Sequence, residues 1–148
     1  VTISSYGLSL VLAMIACVIG GVQGGLTLAR PGSVLGLTAL EDEDDENAAP
    51  SSPRTEGRAL GGLLILSHAT AALFLGYQSN VGAAMAFALA MAWLGAALGR
   101  AISALVDGAR DRFNLGSLAF EIMIAATLSL PFFNAGRLVV LRGHGMLV

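Results

Sequence analysis

The chain has 148 residues, 55% hydrophobic and only 12% charged. Soluble domains carry about twice that charged fraction, so an ordinary water-soluble globule is excluded. A net charge of −2 leaves no basic surplus for nucleic acid, and a single cysteine, Cys17, rules out an internal disulfide.

Apolar stretches near or beyond the ~20 residues of a membrane-crossing helix recur along the chain. The first covers about 4–28. No basic stretch precedes it and its apolar run is long, so it is expected to be a span rather than a signal peptide. It contains Gly20-Gly21-Val22-Gln23-Gly24-Gly25. The overlapping pairs Gly20/Gly24 and Gly21/Gly25 let another helix approach closely. Gln23 can hydrogen-bond across helices near one membrane face. Arg30-Pro31-Gly32-Ser33 ends the helix, and the apolar stripe Val34, Leu35, Leu37, Leu40 predicts a short interfacial helix over 33–40.

Six consecutive acids, Glu41 to Glu46, follow and open a Pro- and Ser-rich linker over 41–57. Such a run is a solvated loop, and in the functional reading a docking patch for a basic partner. The second helix is expected over 58–77, with His68 near its middle. A lone intramembrane histidine is usually hydrogen-bonded within the bundle; as a cofactor-binding residue it is a candidate tetrapyrrole ligand. The third helix is expected over 81–106, with the close-approach pair Gly95/Gly99, and the fourth over 114–133, stopped near Pro131. Residues 134–148 form a tail too short to span. The fold class is therefore all-α: one membrane domain built as a four-transmembrane-helix bundle with an interfacial helix after helix one.

Four spans place both termini on one side. Arg30, Arg54, Arg58, Arg100, Arg110 and Arg112 belong to the opposite side, against Arg137 and Arg142 with the termini. That bias predicts loops 29–57 and 107–113 inside and both termini outside.

Arg100 is the expensive residue. A charge inside a membrane segment is kept where it faces the protein interior and has a partner. It lies seven residues before the end of the third helix, and Glu121 lies seven residues after the start of the fourth. At 1.5 Å per residue both sit about 10 Å below the same face, so Glu121 is the expected partner. Arg58 and Asp107 are the expected members of a second, shallower pair. Ser103, Ser117 and Gln23 fall in the same layer. Either the layer fixes helix register, or it lines a pocket for a lipophilic molecule with one polar head.

The segments Arg58-Ala59-Leu60-Gly61-Gly62 and Gly99-Arg100-Ala101-Ile102-Ser103-Ala104-Leu105-Val106-Asp107-Gly108, followed by Glu121, resemble a mainly bacterial, uncharacterised family of small four-helix membrane proteins. The resemblance runs from helix one to Pro131. It implies fold and topology and brings no activity; the acidic insert departs from the family's shorter loop.

No HExxH, Walker loop, CxxC or Ser-His-Asp set is present, so no catalytic or metal residues are expected. The expected role is non-enzymatic. It is an accessory subunit packed against a larger membrane complex of respiratory or photosynthetic type, in a bacterial inner membrane or an organellar energy-transducing membrane. Its expected partners are membrane lipids and other integral membrane subunits; no cofactor is expected, with contacts to lipid or pigment left open. The alternative is a membrane-embedded binding protein or isomerase-like enzyme for a small lipophilic molecule, using Arg100 and Glu121.

Overall fold

The computed structural model describes residues 4–30 and 53–144, with side chains over 4–30 and 55–135. The expected interfacial helix over 33–40 and the acidic run lie outside the described residues. Four helices account for nearly all the rest: α1 (Ser5–Ala29), α2 (Pro53–Tyr77), α3 (Ser79–Val106) and α4 (Arg112–His144). All four contain a stretch long and apolar enough to cross a membrane. The chain is an all-α bundle of an integral membrane protein.

Local chemistry fixes the helix ends. Ser4 caps α1, its Oγ accepting from the Gly7 N–H at 3.0 Å. Pro53 opens α2, earlier than the linker expected over 41–57 allowed. Proline suits the first helical turn, where its missing N–H has no intrahelical partner to lose. Only Gln78 separates α2 from α3, so α3 starts at Ser79 rather than 81. Gly82 makes this corner possible: a Cβ there would collide with the backbone of Phe74 and Leu75. Gly108, with φ of +71°, breaks the chain after α3 in the left-handed region that glycine tolerates. Asp111 caps α4 by accepting the Asn114 N–H at 3.1 Å. α4 does not stop at Pro131 but continues to His144, so part of the expected tail is helical. A proline inside a transmembrane helix is tolerated where neighbouring helices support it, and Pro131 is buried among them.

The helices run up and down in sequence. α1 packs on α2 and α4, and α3 on α4 and α2. The diagonal α1 and α3 barely touch, and α2 and α4 do not pack against each other. The core is built largely from small residues: Ala13, Ala16 and Cys17 of α1, Ala71 of α2, Ala86 and Ala90 of α3 and Ala125 of α4, completed by Leu75, Trp93, Ile124 and Leu128. Large apolar side chains such as Val18, Leu63, Leu66 and Leu98 point outward. Small inside and large outside is the profile of helices solvated by lipid, where close packing replaces the hydrophobic drive.

The glycine pairs divide by face. Gly24 meets α2, where a Cβ would lie 2.8 Å from Leu64 Cβ and 2.9 Å from the Gly61 carbonyl oxygen. Gly61 returns the contact, a Cβ there falling 2.7 Å from the Gly24 oxygen. Gly21, Gly25, Gly95 and Gly99 have open space where a Cβ would go. The expected Gly95/Gly99 approach is thus not used within the bundle.

Adjacent glycines give a direct test. Gly61→Ala drives a methyl into backbone and is expected to cost about 1–3 kcal/mol. Gly62→Ala enters open space and is expected to leave stability unchanged or slightly raised, since alanine favours helix. Thermal unfolding in detergent measures both.

Candidate functional site

α3 and α4 are antiparallel neighbours, and their connection brings a half-buried guanidinium and a buried carboxylate to one depth. Arg100 Nε donates to Glu121 Oε1 at 2.7 Å, with the side chains 16% and 2% exposed. Asn114, one turn into α4, tightens the corner. Its Oδ1 accepts from Arg100 Nη1 at 3.3 Å, and its Nδ2 donates to the carbonyls of Ala109 and Arg100 at 2.8 and 3.4 Å. Arg110 adds a bond from its Nε to the Ala104 carbonyl at 3.1 Å, serving the open carbonyl end of α3.

The other expected members of the layer lie elsewhere. Arg58 does not meet Asp107; its Nη1 donates to the Leu28 carbonyl at 3.3 Å, where α1 and α2 are close. Asp107 is exposed beyond the end of α3. Ser103 and Gln23 are half-buried, and among the described residues neither side chain hydrogen-bonds to the pair. The shallow pair fails because Gly24 and Gly61 draw α2 against α1, away from the end of α3.

His68 is fully buried on α2, and both ring nitrogens are engaged. Nδ1 lies 2.7 Å from the Leu64 carbonyl, and Trp93 Nε1 lies 3.0 Å from Nε2. A carbonyl only accepts and an indole N–H only donates, so these bonds fix the Nδ1–H tautomer. Gly20 closes over the ring, because a Cβ there would fall on it. Trp93 occupies Nε2 here, so an iron at that nitrogen would have to displace the indole. Among the described residues, no three His, Cys, Asp or Glu side chains gather as a metal site.

Between α2 and α3 a cavity of about 170 Å³ opens toward the lipid-facing side, with Leu63, Leu64, Leu89 and Trp93 on its walls. His68 and, from α4, Glu121 line it as well. Among the described residues two buried side-chain atoms lack any hydrogen-bond partner: Tyr6 Oη, at the opposite end of the bundle, and Glu121 Oε2. One carboxylate oxygen therefore serves Arg100 while the other is buried without a partner, on a residue that lines the cavity. A shallower groove of about 440 Å³ continues along α2 and α3 past Ser67 and Leu89, which line both, to Thr70 and Met85.

Trp93 and Asn114 escape the sequence reading as site residues. Asn114 shares a helix face with Glu121 at i, i+7, a spacing legible in the sequence but not enough to assign it to the polar layer. Trp93 lies fourteen residues into α3 while His68 lies nine from the end of α2, so matching depths does not pair them. The length of the two rings bridges the offset.

A four-helix membrane bundle with a charge pair at the foot of an apolar cavity is the class of protein these features define. The chain belongs to the family described as Domain of unknown function (DUF4345), which matches over residues 6–131. No curated protein and no solved structure matches it.

Arg100→Ala is expected to strand Glu121 and cost about 3–5 kcal/mol. Exposed Arg112→Ala is expected to cost under about 0.5 kcal/mol. Replacing both partners by leucine should restore much of the loss, since no orphan charge remains. A double-mutant cycle on detergent-solubilised protein reads the coupling, and additive losses would separate the two side chains energetically.

Proposed function

We propose that this protein is a membrane-embedded binding protein for a small lipophilic molecule held in the cavity between α2 and α3. The observation that carries the reading is Glu121, which lines that cavity and whose Oε2 is buried without a partner. Leaving a buried acceptor unsatisfied costs about 1–3 kcal/mol, and more for a charged group. A ligand that fills the cavity and serves this oxygen removes the penalty. Apart from Glu121, Ser67 and His68 the walls are apolar, as expected of a site reached from the bilayer.

A second reading, the accessory subunit of a larger membrane assembly, has its own support in Gly21, Gly25, Gly95 and Gly99. Their outward faces leave room for a foreign helix. Gentle purification and a mass measurement separate it from the first: a strictly monomeric particle without a co-purifying partner counts against it.

Trp93 is the chain's single tryptophan and lines the cavity, which makes it a built-in reporter. Bromine quenches tryptophan emission only at contact range. Bromobenzene is expected to quench Trp93 saturably in lipid nanodiscs, and Ala92→Phe, which fills part of the cavity, is expected to remove the saturable component. Quenching that merely tracks partition into lipid, identical in both proteins, would defeat the binding reading.

A further inference from the structure

Building on that reading, we infer that the ligand is a neutral, hydrogen-bond-donating amphiphile: a ring-sized alcohol or phenol head on Glu121 Oε2, carrying an apolar chain along the α2–α3 groove. Three observations define the head. Glu121 Oε2 can only accept, so the ligand must donate. Arg100 already neutralises the carboxylate at 2.7 Å. An ammonium head would therefore bring an uncompensated charge into low dielectric, and a carboxylate or phosphate would face an oxygen that offers no proton. The cavity volume of about 170 Å³ sets the size; an apolar protein cavity of about 150 Å³ accommodates benzene.

The chain follows from the shape of the α2–α3 face. Cavity and groove share Ser67 and Leu89, so the apolar path does not end at the head site. It runs to Thr70 and Met85, past the middle of the α2 and α3 spans toward the corner that joins them. Glu121 sits near the end of the bundle where α3 gives way to α4. The ligand thus lies along the helices, its head at the level of the charge pair and its chain reaching past the middle of the bundle. Leu63 and Leu66, 63% and 71% exposed on the outer side of α2, flank a route from the bilayer that crosses no water.

The test uses Trp93 quenching in nanodiscs with four probes at equal membrane concentration: 4-bromophenol, 4-bromotoluene, 4-bromoanisole and 4-bromobenzylamine. The phenol is expected to half-saturate at least about tenfold lower than the other three, the effect of one hydrogen bond to a charged acceptor. In Glu121→Gln the phenol's advantage is expected to shrink to under about threefold, because the residue can then present a donor to the cavity. Should that variant not fold, the four probes on the unaltered protein still decide. For the chain, 3-bromo-4-octylphenol is expected to bind more tightly than 4-bromophenol, and Ala88→Phe in the groove to cancel the gain while sparing 4-bromophenol. That chain dependence marks a membrane amphiphile rather than a small free phenol. Equal quenching by phenol and toluene, as when a retained water serves Oε2, overturns the donor assignment while leaving lipophilic binding intact. Preference for the amine overturns the charge argument, and absence of an octyl gain overturns the chain. Saturable quenching by none of the probes removes the binding reading itself.

Discussion

A guanidinium and a carboxylate held at 2.7 Å between α3 and α4 set the terms for everything around them. Neither charge is tolerable alone at that depth, and attraction between them compensates only when the geometry is tight and the remaining polar atoms are served. Asn114 supplies part of that service by accepting from the guanidinium and tying down the carbonyls at the corner. Asp111 caps α4 at the same corner, and Gly108 turns the chain into it. Glu121 Oε2 is the buried atom of this network left without a partner, so the scaffold and the proposed site are two sides of a single carboxylate.

The other half of the bundle is held differently. α1 and α2 meet through absence of side chain: Gly24 against Gly61, and Gly20 against the His68 ring. His68 is pinned by the Leu64 carbonyl and the Trp93 indole, linking this half to α3. Close approach of α1 and α2 on one side and of α3 and α4 on the other leaves α2 and α4 apart across the diagonal. The cavity occupies the resulting gap, walled by α2 and α3 and reached from α4 only by Glu121.

Much of this was legible in the sequence, for particular reasons. Four apolar runs predict four spans, because helix length in a bilayer is set by its thickness. Arg100 and Glu121 could be paired because a short connection makes their distances from it comparable. The same reasoning fails for Arg58 and Asp107, since it treats helices as equidistant and ignores glycines that draw one pair together. Helix ends were misjudged at two prolines, one placed in the linker and one read as a stop. Pro53 instead starts α2, and Pro131 sits inside α4. Of the glycine seams, only the structure distinguishes the used face, Gly20 and Gly24, from the open one, Gly21 and Gly25. The cavity was out of reach, because a void depends on which side chains fail to meet, and no periodicity records that.

The α3–α4 corner also bears on how the chain is inserted during synthesis. An arginine or acidic residue presented singly near a helix centre opposes transfer into the bilayer by about 2.5–3.5 kcal/mol. α3 is made first and carries Arg100 with no counter-charge of its own span to offset it. Once α4 has emerged, the hairpin closed by Gly108 and Asn114 can carry the two charges inward as one neutral unit. Transfer of the paired hairpin is therefore less costly than transfer of α3 with an unpartnered Arg100.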